Sequence, residues 1–232
     1  MTKAKQLASE IHNDTIALLA EHRIQGQKYS SPQHQATYSA EGLKTLAQKF
    51  SAEYLERAAA IQQKANALAD STAQNYRDGL DKFKTIDGDA TAQLLGETRA
   101  GKAWARIKAE LDAGKGDFAT KADQLGKLLT SGDQTTRHAI LTEGPSYLRA
   151  SGWQSHNATA DEYLEGILTE QDEHLSDLFN EAASAANLRT TVNYNAGAVT
   201  QRLSTLPPDA TAEPRLPALA GYVDPTTVRE VF

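Results

Sequence analysis

Apolar side chains recur along one stretch of this chain with a regular step. Leu43, Leu46, Phe50, Tyr54, Ala58, Ile61, Ala65, Leu68, Thr72, Tyr76, Leu80, Phe83 and Ile86 mark twelve steps over 43 residues, about 3.6 per step. That is the α-helical period, and it predicts one long helix from Ser39 to Ile86 with this row as its buried face. A two-stranded coiled coil would repeat every 3.5 residues, so the value favours packing within a bundle over an isolated rod. Ala, Gln, Lys, Glu and Leu fill Gln48 to Ala69, and no glycine occurs between there and Gly79.

The same reading places the other elements. Residues 2–25 predict a first helix with Ala4, Leu7, Ala8, Ile11, Thr15, Leu18 and His22 inward and Gly26 ending it. Ile16, Leu19 and Ile24 fall off that stripe, and either widen it or meet another molecule. After a turn through Pro32 the long helix returns antiparallel, forming a helical hairpin. Asp89 is placed to cap a helix from Ala90 to Ala113, with Leu94, Leu95, Thr98, Trp104, Ile107 and Leu111 inward. Asp117 and Asp133 open shorter helices over 118–131 and 134–143, the second ending at Gly144, and a turn runs through Pro145 to Ala150. Thr159-Ala160-Asp161-Glu162 is a capping box, and predicts a helix running to about Asn187 with Tyr163, Leu164, Ile167, Leu168, Leu175, Leu178, Phe179 and Ala182 inward.

Composition changes abruptly beyond that point. All five valines lie at or after Val192, no lysine follows Lys127, and five of the seven prolines lie between Pro207 and Pro225. Thr190 to Tyr194 predicts a short strand, Ala196 to Leu206 a last helix, and Pro207 to Phe232 an extended arm. The expected class is therefore mainly α: a long helical hairpin (1–87), a compact set of shorter helices ending in an acidic helix (88–187), and an extended proline-rich C-terminal arm (188–232).

Leu, Ile, Val and Phe together make 43 of 232 residues, under a fifth, while alanine alone contributes 38. So thin a core suggests that association with other molecules completes it. The net charge of −6 is uneven: residues 151–187 carry eight acidic groups and no lysine or arginine. Within them Glu173, Asp177 and Glu181 stand at successive i,i+4 positions, where like charges repel.

Chemistry-bearing patterns are weak by comparison. Gly96-Glu97-Thr98-Arg99-Ala100-Gly101-Lys102-Ala103 approaches a phosphate-binding loop, but Ala103 lacks the hydroxyl that holds magnesium and no β-branched strand precedes it. Two glycines tolerated where helices pack closely explain it better. The absence of cysteine removes disulfides, thiol nucleophiles and thiolate-bound zinc. No histidine pair has metal-binding spacing; Glu170 and His174 read as a surface i,i+4 pair. Residues 115–152 carry five basic against four acidic groups, far from the basic footprint that nucleic acid requires. No run approaches a membrane span, and Met1-Thr2-Lys3-Ala4-Lys5 leads into an amphipathic stretch, not the apolar core of a secretory signal.

These observations lead to a non-enzymatic assembly subunit without cofactor or metal, located in a virion or the cytoplasm. Its expected partners are other copies of itself and neighbouring structural proteins. Phage and virus head, neck and scaffold components share this architecture of long spine, sparse core and extended terminus. The alternative is a soluble adaptor or regulator that binds a basic partner through the acidic helix 159–187. The expected partner-binding residues are Glu173, Asp177 and Glu181 on that helix, with Tyr222 and Phe232 anchoring the arm on a neighbouring subunit.

Overall fold

The structure, a computed structural model, describes residues 3–29, 31–114, 116–153 and 158–203. These fold as helices with no strand among them, in the order α1 (Lys3–Tyr29), α2 (Pro32–Thr37), α3 (Ala40–Lys84), α4 (Ala90–Ala113), α5 (Phe118–Ser131), α6 (Gln134–Ala150), α7 (Ala160–Gln171) and α8 (Glu173–Leu203). The chain from Pro207 to Phe232, with Tyr222 and Phe232, lies outside the described residues, as does the side chain of His22.

Packing groups the helices into two compact units. The first takes its described residues from Met1–Ala73 and from Glu181 onward, so it contains α1, α2, most of α3 and the later part of α8. Its core joins Ile11 and Leu18 of α1, Tyr54, Ile61 and Leu68 of α3, and Leu188 and Val192 of α8. The hairpin is antiparallel, since Asp14 pairs with Lys64 while Glu21, seven residues later, pairs with the earlier Arg57. On the other side of α3, Asn193 meets Gln62 and Arg189 meets Asp70, which makes α8 antiparallel to α3 as well. The buried Tyr54 hydroxyl donates to the Leu18 carbonyl, tying α3 to α1. Thr15 and Thr72 are buried too, and each turns its hydroxyl back to the carbonyl four residues earlier, Ile11 at 2.7 Å and Leu68 at 2.9 Å.

The second unit, Gln74–Asn180, packs the end of α3, α4 to α7 and the start of α8 around Leu80, Ile107, Leu125, Ile140, Leu148, Leu164 and Leu175. Asp89, Asp117 and Asp133 cap α4, α5 and α6, and the box of Thr159 and Glu162 opens α7. The α3 register is also as expected: Tyr54, Ala58, Ile61, Ala65, Leu68, Thr72 and Leu80 are buried.

Elsewhere tertiary packing overrides local signals. α1 continues through Gly26 to Tyr29, whose ring meets Phe50 of α3 at 6.0 Å, so the helix does not stop at 25. α6 runs through Gly144 and Pro145 to Ala150 where a turn was expected. Both residues are buried there, and a Cβ on Gly144 would come within 3.1 Å of Leu164, so the glycine admits α7 at close range. The expected helix from 160 to 187 is two helices, because Asp172 leaves the helical conformation (φ −101°, ψ 111°) and its side chain accepts from the Leu175 N–H at 2.9 Å. The expected strand at Thr190–Tyr194 is helical, part of an uninterrupted α8. Its β-branched residues cost a few tenths of a kcal/mol each in a helix, less than the roughly 1.5 to 3 kcal/mol gained by burying Val192.

Candidate functional site

The acidic residues of 151–187 are the first candidate, and four of the eight have partners within the fold. Asp161 pairs with Arg149 of α6 at 2.5 Å, and Glu165 with Lys84 of α3 at 2.5 Å. Glu162 closes the capping box by accepting from the Thr159 N–H at 2.7 Å, which holds its carboxyl below the usual carboxylate range. Asp172 caps α8. Half of the eight acidic groups therefore serve the fold. The absence of lysine and arginine within the segment was a hint that their partners come from other elements, but nothing in the sequence singled out Lys84 or Arg149.

What remains is Glu170 at the end of α7 and Glu173, Asp177 and Glu181 on α8. Glu173 and Asp177 are exposed, Glu181 is half-buried, and among the described residues no lysine or arginine forms an ion pair with Glu173 or Asp177. Glu173 sits in the first turn of α8, where the helix dipole favours negative charge and offsets part of its repulsion with Asp177. Glu170 and His174 do not share a helix face, because the break at Asp172 separates them. Among the described residues no group of three potential ligands is placed to hold a metal ion, and no helix is long and apolar enough to cross a membrane.

The second candidate is apolar surface. Leu94 and Leu95 of α4 are 66% and 50% exposed, although they were expected to face inward. Ile107 and Leu111 are buried as expected, and the buried face is completed by Ala100 and Ala103, which pack against Ala139 of α6. Alanines let two backbones approach closely, so Ala100 and Ala103 turn inward and Leu94 and Leu95 outward. Gly96 and Gly101, the glycines of the phosphate-loop pattern, lie inside this continuous helix, and the space a Cβ on Gly96 would need is filled by Ile86. Phe179 of α8, also expected inward, is 48% exposed with its ring edge-on to Tyr76 at 5.5 Å.

A small cavity opens within the first unit between Thr15, Leu19, Ile61, Val192, Asn195 and Ala196. Its volume of about 20 Å³ matches one water molecule and falls far short of the several hundred Å³ that a small-molecule site needs. Asn195 is buried there, and its Nδ2 has no hydrogen-bond partner among the described residues.

Comparison of the chain with known protein families, with curated proteins and with solved structures finds no match.

Proposed function

We propose that this protein is a structural subunit that assembles through its helical surfaces and has no catalytic activity of its own. The observation that carries this reading is the adjacent pair Leu94 and Leu95, held outward on a helix whose opposite face is buried. Fully burying a leucine is worth about 1.5 to 3 kcal/mol, so a partner covering both would gain substantially. The alanine-rich core of the first unit, with Ala8, Ala58, Ala65, Ala69, Ala185 and Ala196, supports the same reading, since small side chains bury little area each. Subunits of phage or virus heads, necks and scaffolds are the kind of component it resembles in architecture. On this reading the arm from Pro207 to Phe232 reaches a neighbouring subunit, with Tyr222 and Phe232 as anchors.

Light scattering across a concentration series tests it. Self-association that weakens when Leu94 and Leu95 are both changed to Ser supports the proposal, and a chain that stays monomeric throughout contradicts it.

Glu173 and Asp177, exposed and without a cation partner among the described residues, favour a second reading as an adaptor for a basic partner. Binding of a lysine-rich peptide that is lost in Glu173→Gln/Asp177→Asn would support that alternative. Binding indifferent to salt would contradict it.

A further inference from the structure

α1 carries apolar residues on two opposite sides. One side, Ile11, Thr15 and Leu18, is buried in the first unit. Ala20 lies nine residues beyond Ile11, and at about 100° per residue this places it diametrically opposite. Ile16, Ala20 and Ile24, at successive i+4 positions, form the outer stripe, with Ile16 43% and Ile24 60% exposed and Ala20 exposed between them. The stripe is symmetric about Ala20: an isoleucine stands four residues, about 6 Å, to either side.

The flanking charges have the same symmetry. Glu10 and Lys28 are both exposed and eighteen residues apart, five full helical turns, so they lie along one flank of the stripe. Glu10 stands ten residues before Ala20 and Lys28 eight after it. In an antiparallel pair of α1 helices crossing at Ala20, Glu10 of each copy is level with Lys28 of the other to within about 3 Å along the axis. Each Ile16 is then level with the other copy's Ile24, and the two small Ala20 side chains meet at the crossing. A parallel two-fold pair would place the two copies of this flank on opposite sides of the seam and leave Glu10 and Lys28 unpaired across it, whereas the antiparallel pair brings them together on one side, so charge favours the antiparallel arrangement.

From this self-complementarity we infer that the outer face of α1 docks a second copy of the same chain, as an isologous antiparallel helix pair related by a two-fold axis. The inference rests on the assembly reading and specifies one of its interfaces. A single helix stripe buries less than the roughly 800 Å² per partner of a standard interface, so the association is concentration-dependent.

Sedimentation velocity over a concentration series, with circular dichroism to confirm retained helicity, tests it. Ile16→Glu and Ile24→Glu, both at exposed positions, are each expected to weaken self-association roughly tenfold or more. Glu10→Lys is expected to weaken it less, and Glu10→Lys/Lys28→Glu to restore it. Because the chain lacks cysteine, Ala20→Cys introduces a single thiol, expected to give a covalent dimer under mild oxidation. Glu56→Cys, on the outer face of α3, is expected to give none. Self-association unaffected by both isoleucine substitutions would overturn this interface and leave the assembly reading standing. A wild-type chain that is monomeric at every concentration would overturn both. Failure of the charge exchange to restore association, with the isoleucine effects intact, would overturn the antiparallel pairing.

Discussion

Asn195 shows how a single residue can hold back the stability of a helical core. Its amide is buried beside a cavity lined by Leu19, Ile61 and Val192, and its Nδ2 is unpaired among the described residues. Asn195→Leu removes that desolvated donor and fills apolar space, so it is expected to stabilise the protein by about 1 kcal/mol in a thermal melt. The capping carboxylates act in the opposite direction at low pH. Hydrogen bonds from the backbone N–H groups of Thr120, Thr136 and Thr159 hold Asp117, Asp133 and Glu162 below their ordinary values. A depressed carboxylate contributes stability above its unfolded value, near 4, and loses that contribution as pH falls through the folded value. Helicity is therefore expected to decline as the pH drops below about 4. Asp117→Asn/Asp133→Asn, whose amides still cap but do not titrate, should show a shallower acid transition.

At the scale of the element, α3 puts its register to a direct test. Leu68 is 4% exposed within the first core, and Gln48 is exposed on the same helix. Leu68→Ala is expected to cost about 2 to 5 kcal/mol, and Gln48→Ala to fall within about 0.5 kcal/mol of wild type, in chemical unfolding. Comparable losses at both positions would contradict the buried face. The α3 row was legible in the sequence because its period persists over many turns. Of the inward face of α4, Ile107 and Leu111 were legible but the N-terminal half was not, because a search for large apolar residues selects Leu94 and Leu95, whereas that half packs through Ala100 and Ala103 against Ala139. Close backbone approach favours small side chains, and nothing local to α4 indicates that α6 will present an alanine opposite them.

For the whole molecule, sequence signals and packing divide the chain by different criteria. The sequence divides at the Asp87-Gly88-Asp89 break and again after Asn187, where the kind of residue changes. The units defined by packing record which side chains share a core, and α3 and α8 each contribute to both. Since the later part of α8 completes the first unit, residues up to Ala196 belong with that core. Removing residues 207–232 is therefore expected to preserve the helical circular dichroism signal and, on the assembly proposal, to reduce association in light scattering. A truncated chain that assembles as the full chain does would remove the arm from the proposal. Of the expected partner-binding residues, Glu173 and Asp177 are exposed near the start of α8 and Glu181 is half-buried further along it. Their charge pattern was legible in the sequence, but the separate duties of the neighbouring acids, such as Glu165 with Lys84, depend on contacts between distant segments.

The sequence by itself determined the helical class, the buried row of α3 and the starts of α4, α5, α6 and α7, because period and capping are local properties that act within a few residues. Tertiary structure alone decided where helices continue through poor local residues and that the first turns of α4 hold Leu94 and Leu95 outward. Gly26, Gly144, Pro145 and the stretch from Thr190 to Tyr194 all sit within helices. Glycine costs about 1 kcal/mol there and proline about 3, amounts that burial against neighbouring helices can offset. Those neighbours are distant in sequence: Leu164 lies beside Gly144, and Val192 joins a core with Ile11 and Leu18. Such pairings carry no local signature, so only the folded chain discloses them.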